Sequence, residues 1–217
     1  MRDSCIILDV AHGSETPHKE SVDSVFKEFE WSRARVHDIY KGLMDFNLPF
    51  DTFAPFMSYR NEPGLRKRVN VYNERAEPYK DTIMLSLHVD RFKEPPEWWN
   101  GTGFSFFTNR VENTADELAN VMAKVWDEEL PNERVRRRAE KDVSKDSNFT
   151  VIWGYGKGEA YVPTEYHGIL VENLFMDNKS DVYNKLMNAE WNSRLVNTYI
   201  TSIFKMFEYL GHMEIES

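Results

Sequence analysis

Apolar residues fall along this chain in two spacings, and each predicts its own kind of element. Short continuous runs of Val, Ile, Leu and Phe, bounded by polar or turn residues, predict strands at residues 4–10, 50–54, 82–88, 103–108, 149–153 and 168–174. Between them the apolar positions recur at helical spacing. The first long helix is expected over 29–44, with Val36, Ile39, Tyr40 and Leu43 on its apolar stripe and Asn47-Leu48-Pro49 as its stop. Others are expected at 65–79, after Asn113 as a capping residue, at 134–143, and as two segments within 179–210 closed by Gly211. Strands alternating with helices over 217 residues point to the α/β class and to one domain.

Three of these strands lead to groups that carry chemistry. The run 5–8 passes through Asp9-Val10-Ala11 to His12 and Gly13, and the run 83–87 leads to His88-Val89-Asp90. Two imidazoles therefore leave the same end of one sheet, where α/β proteins build their sites. The run 168–171 ends in Glu172, a carboxylate in apolar surroundings that needs a partner, a cavity or a raised pKa. A catalytic zinc takes three ligands from His and Asp/Glu and keeps one position open. His12 and His88 supply two; Glu30, at the start of the first long helix, is the expected third, with Glu28 competing for the place. Glu172 is then the general base of a metal-assisted hydrolysis. The connections 13–25, 89–102 and 155–167 are long and polar, as functional loops are.

Composition narrows the partners. With 41% hydrophobic, 14% aromatic and 29% charged residues the chain is of ordinary soluble composition, without a membrane-spanning run. The formal net charge of −9 argues against nucleic acid, which needs clustered Lys and Arg. The one basic run, 134–138, is flanked by Glu133 and Glu140 and reads as a solvated helix face. The single Cys5 lies in the first strand and excludes an internal disulfide. Because Met1-Arg2-Asp3-Ser4 runs straight into that strand, no signal peptide and a cytoplasmic chain are expected.

The same residues resemble the zinc-dependent N-acetylmuramoyl-L-alanine amidases, hydrolases of the bacterial cell wall. That family's D-P-G-H-G-G is similar to Asp9-Val10-Ala11-His12-Gly13-Ser14, and its E-x-x-x-N-R to Glu30-Trp31-Ser32-Arg33-Ala34-Arg35. Its R-V-x-x-x-N resembles Arg68-Val69-Asn70-Val71-Tyr72-Asn73, and its S-I-H-A-N-A resembles Ser86-Leu87-His88-Val89-Asp90-Arg91. Two later motifs, E-W-x-N-x-x-G-W and L-x-E-N-x-F-M-D-N, look like the segments starting at Glu97 and Leu170. Ala11 and Ser14 stand where the family has glycines, Ala34 where it has asparagine, and His167 where a proline usually precedes the last strand.

The resemblance implies a twisted, mostly parallel sheet of about six strands flanked by helices, and one catalytic domain over 1–217 without a separate wall-binding domain. It implies zinc on His12, Glu30 and His88, with Glu172 as catalytic base, and peptidoglycan as substrate, cut between N-acetylmuramic acid and L-alanine. Trp98, Trp99, Asn100, Asn173 and His167 are then candidate substrate contacts, and Arg136 to Arg138 could meet a stem-peptide carboxylate. The expected whole is a monomeric phage or prophage endolysin, held in the cytoplasm until lysis. The alternatives are a catalytically lapsed wall-binding domain, or another zinc hydrolase, a peptidase or deacetylase, on the same scaffold.

Overall fold

A computed structural model of the chain describes residues 2–92, 97–111, 113–137, 139 and 142–213. Its strands are β1 (Ser4–Val10), β2 (Asp51–Phe53), β3 (Asp81–Asp90), β4 (Ser105–Thr108), β5 (Ser144–Asp146), β6 (Gly154–Tyr155), β7 (Val162–Pro163) and β8 (His167–Phe175). Its helices are α1 (Glu28–Met44), α2 (Leu65–Ala76), α3 (Thr114–Glu129), the short turns α4 (Thr150–Trp153) and α5 (Lys179–Asp181), and α6 (Ala189–Tyr209). Six strands form one sheet in the order β2-β1-β3-β8-β4-β5; β6 and β7 make a separate small hairpin. β1, β2, β3 and β8 are parallel, while β4 runs antiparallel to β8 and carries β5 parallel to itself. The mostly parallel six-stranded α/β fold expected from the sequence is therefore present, in one domain.

Both faces of this sheet are covered, which is why its central strands read as unbroken apolar runs rather than alternating ones. Every residue of β1 is buried. Helices α1, α3 and α6 pack on one face and α2 and α4 on the other. Trp126 of α3 anchors the first layer: its ring meets Phe104, Phe106 and Tyr199 edge-on, and its indole N–H donates to Ser202 Oγ at 3.1 Å. The cap expected at Asn113 is there, reciprocated by Asp116, whose side chain accepts from the Asn113 N–H.

Two elements differ from the sequence pattern. The run 149–153 is the helical turn α4, and the sixth strand is the polar β5 instead. A run as short as these five residues fits a buried helical turn as well as a strand, and here Val151 and Ile152 are buried, with Ile152 lying where Gly168 leaves no Cβ. The expected helix at 134–143 is not formed by any described residue of that stretch; residues 138, 140 and 141 lie outside those described. Val135 is instead buried in a parallel bridge with Phe104, so the segment alternates as a strand does. Helix α2 ends at Ala76 rather than 79: Glu77 still bonds to the Asn73 carbonyl, and Pro78 brings no N–H to continue the ladder. Residues 93–96 of the long connection after β3 also lie outside those described.

Candidate metal centre

His12, Glu28 and His88 meet at the carboxyl end of β1 and β3, with one ligand atom from each lying within 4.8 Å of the others. Glu28 Oε2 is 3.7 Å from His12 Nε2, and Glu28 Oε1 is 3.2 Å from His88 Nδ1. The two imidazoles stand edge to face at 89°, 4.9 Å apart. A tetrahedral zinc with ligands near 2.0–2.1 Å has donor-to-donor edges of about 3.3 Å, so this spacing fits such an ion. Glu28 is fully buried, its Oε1 accepts from the Val89 N–H at 2.9 Å, and its Oε2 has no hydrogen-bond partner. A buried carboxylate oxygen left unsatisfied beside an imidazole needs a partner, and a cation held between the three groups would supply one. Burial opposes the charge of Glu28, but the hydrogen bond from His88 and the charge of both imidazoles outweigh it and hold the carboxyl below its usual range. Burial pushes His88 down, which favours the neutral imidazole that a metal needs.

Glu30 is not part of this cluster. It is exposed on α1 and borders a surface groove with Thr16 and Arg60. Successive helix residues turn by about 100°, so two positions from Glu28 lead to the opposite side of the helix. Glu28 shares the buried face with Ser32 and Val36, each four residues on. The carboxylate that joins the two histidines thus stands two residues before Glu30, and the apolar stripe through Val36 extends backwards onto Glu28, not Glu30.

The chain around His12 is fixed by a buried polar network. His12 itself takes φ +44°, and Arg33 donates to the carbonyls of Ala11 and His12 at 2.9 and 2.7 Å. Gly13 is required by close approach, since a Cβ there would stand 2.2 Å from the Glu62 N. Glu62 reaches His12 Nδ1 at 3.6 Å, the contact that orients a ligating imidazole. Burial works against its charge, but hydrogen bonds from His12 and Thr16, with the charge of His12, bring its pKa down to about 2. Beneath lies Asp9, fully buried, bonded to Arg68 Nη1 at 2.8 Å, Ser86 Oγ at 2.6 Å and the Tyr72 hydroxyl. Arg68 is equally buried and also donates to the Val10 carbonyl. Removing one partner of a buried pair strands the other charge, so Arg68→Met is expected to lower unfolding stability by about 3–5 kcal/mol in denaturant titrations of the metal-free protein. A loss below about 1 kcal/mol would mean that Asp9 finds another partner.

Glu172 lies directly across from His88 on one side and from Ser105 on the other. Its Oε2 is buried without a partner. Burial pushes its carboxyl well above the usual range, and the negative charges of Glu28 and Asp90 push the same way. Asn173 faces the opposite layer and is fully buried: it donates to the His88 carbonyl at 2.9 Å and accepts from the Tyr199 hydroxyl. It closes the irregularity where the β3–β8 register shifts after His88, next to Leu174 at φ +63°. Asn173 therefore positions His88 and Glu172 from behind and offers no surface to a substrate.

Trp98, Trp99 and Asn100 are exposed on the connection after β3, at the same end of the sheet as the cluster. Trp99 stacks on Phe92 at 4.7 Å, and its backbone N–H donates to the Asp177 carbonyl. Together with Asn178 and Tyr183 they wall an open groove. His167 sits at the other end of β8, facing Ile83 and 3.6 Å from Asp81. Five strand residues, about 16 Å, separate it from Glu172, so it does not share the site.

The family model described as N-acetylmuramoyl-L-alanine amidase matches residues 6–205. This chain belongs to that family. No curated protein matches it by sequence. Among solved structures it is similar to an N-acetylmuramoyl-L-alanine amidase from Clostridium difficile 630, with 17% identity, a TM-score of 0.76, and coverage of 97% of this chain and 98% of that one. The catalytic domain of the amidase CwlV from Bacillus (Paenibacillus) polymyxa var. colistinus shares 18% identity over 97% of this chain and 99% of that one, with a TM-score of 0.71. The amidase Ami1 from Mycobacterium smegmatis gives 16%, 95%, 97% and 0.69 in the same measures. At these identities the likeness is one of fold.

Within the amidase family pattern, E-x-x-x-N-R fits better from Glu28 than from Glu30. Read that way, Ser32 takes the place of the asparagine and Arg33 that of the arginine. Ser32 Oγ accepts from the Ala11 N–H at 2.8 Å and donates to the Leu87 carbonyl at 2.7 Å, tying together the ends of the two strands that carry the histidines. Arg35, the arginine of the alternative register, pairs with Asp38 on the outer side of α1.

Proposed function

We propose that this chain hydrolyses the amide between N-acetylmuramic acid and the L-alanine of peptidoglycan stem peptides, with zinc held by His12, Glu28 and His88. The observation that carries the reading is the buried, unpartnered Oε2 of Glu28 between two imidazoles, in a chain of the amidase family. Zinc in such a site supplies a Lewis acid at an open position, which makes water acidic near neutral pH and draws electron density from a carbonyl.

The chain's own residues do the rest. Glu172 takes the proton of the attacking water at its carboxylate and delivers it to the alanine nitrogen as the amide bond breaks. Its upward-shifted carboxyl suits a group that must both accept and release a proton. Ser32, Arg33 and Glu62 hold His12 in place, and Asn173 holds the backbone of His88. Trp98, Trp99 and Asn100 offer aromatic and amide surface to the glycan or peptide that runs from the cleft.

Elemental analysis of protein purified without added metal is expected to find about one zinc per chain. Purified sacculi should lose turbidity with release of new alanine amino termini, and a chelator should stop both. Lysis with new amino termini elsewhere, or none, would point to a different hydrolase or to a binding domain. The endolysin role is a separate proposal, tested by whether lysis of intact cells requires a breached membrane; among the described residues no helix is long and apolar enough to cross one.

A further inference from the structure

A group of cations stands beside Glu172, in a chain whose formal net charge is −9. Lys145 of β5 faces Phe107 in register, and Ser105, two residues from Phe107, faces Glu172. Residues two apart on a strand share a face, so His88, Glu172, Ser105 and Lys145 lie on one side of the sheet. The Lys145 ammonium turns back along that face and donates to Ser105 Oγ at 2.6 Å, while its Nζ lies over the Phe107 ring at 5.4 Å. It is partly buried, and among the described residues it has no carboxylate within ion-pair distance. An ammonium withdrawn from water without a close anion is costly to hold, and Glu172, whose Oε2 stays unpartnered, acts on it only from beyond ion-pair distance.

The basic run near residue 135 completes the group. Arg134 and Arg136 flank the buried Val135, and both side chains lie against Gly103, where a Cβ would meet Arg134 Cβ at 3.1 Å and Arg136 Cγ at 3.2 Å. The Arg136 guanidinium covers the Phe175 ring at 5.1 Å and stands 3.9 Å from Asp90, with no side-chain hydrogen bond among the described residues. A guanidinium lying on an aromatic face keeps its N–H edge free for a carboxylate. Asp90 stands at ion-pair distance from Arg136 but not from Lys145, and its Oδ1 is already taken by the Arg91 N–H. Burial and the charge of Arg136 lower the Lys145 pKa, and the more distant charges of Asp90 and Glu172 offset this only in part.

We propose that Arg136 and Lys145 form the seat for a free carboxylate of the stem peptide, belonging to the residue that follows the alanine. The inference rests on the amidase reading above. With the scissile amide at Glu172, an extended peptide reaches about 7 Å in two residues. Neighbouring strands are about 4.8 Å apart, so that span runs from β8 across β4 toward β5. An amidated residue at the same place would leave Lys145 without a close anion and Arg136 with the long contact to Asp90 alone, which makes the pair a specificity device.

Calorimetric binding of the product peptide L-alanyl-D-glutamate and of its fully amidated counterpart to the whole chain tests this without turnover. The wild type is expected to bind the acid at least tenfold more tightly than the amide. Lys145→Gln and Arg136→Gln should each remove most of that preference while binding the amide as the wild type does. Equal binding of acid and amide by the wild type, or binding of neither, overturns the carboxylate seat; so do folded variants that keep the full preference. Failure to cleave sacculi, with the acid preference intact, would instead sink the amidase reading and leave the seat standing.

Discussion

Glu172→Gln is expected to lower kcat on purified sacculi by about 10²–10⁴-fold, the usual contribution of a positioned general acid–base, with little change in bound zinc. Glutamine has nearly the shape of glutamate, so the strand pairing with His88 and Ser105 stays, and only the ability to carry a proton is lost. The same change should not destabilise the protein. Burial raises the folded-state pKa of Glu172 above its unfolded value, so the folded chain holds more protons than the unfolded one between the two. Stability contributed by this site is therefore present below the unfolded pKa and is lost as pH rises toward the folded one. An uncharged amide escapes that loss, and metal-free Glu172→Gln should unfold at an equal or higher denaturant concentration than wild type at neutral pH. Activity within tenfold of wild type would remove Glu172 from the reaction.

Glu28→Gln and Glu30→Gln should separate completely, although the two residues stand on the same turn of α1. Losing a group that merely orients a ligand lowers metal affinity by roughly 10–100-fold. Glu28 is a direct donor in the proposed site, so its loss should exceed that range and abolish hydrolysis. Glu30 is exposed and away from the histidines, and its variant should keep both zinc and activity. Competition with a chromophoric chelator reads the affinities directly. Equal zinc binding by wild type and Glu28→Gln would show that the cluster does not hold the metal. Loss of zinc in Glu30→Gln would mean that the amino end of α1 rotates when the ion binds.

Much of the fold and part of the site were written in local pattern. Apolar runs marked β1, β3 and β8 because strands buried on both faces need no alternation, and the groups at their ends came with them: His12, His88 and Glu172. The stripe on α1 and the cap at Asn113 were equally local. Local pattern misleads where it is short or where two periods fit: the 149–153 run is a helical turn, and the Arg-Val-Arg alternation near 135 forms a bridge in place of the expected helix.

What the sequence determined by itself was the element order, the α/β class and the set of groups that parallel strands deliver to one end of a sheet. Which partners those groups meet depends on how elements distant in the chain pack together. Glu28 rather than Glu30 turns inward because the rotation of α1 is set by packing its buried face on β1, β3 and α6. Glu62 reaches His12, and Lys145 reaches Ser105, across long stretches of chain, so no local spacing announces either contact. The burial of Asn173 and the place of His167 at the far end of β8 were settled in the same way. The side of a strand and the end of a sheet that a residue occupies are settled by register, and register is a property of pairs of strands.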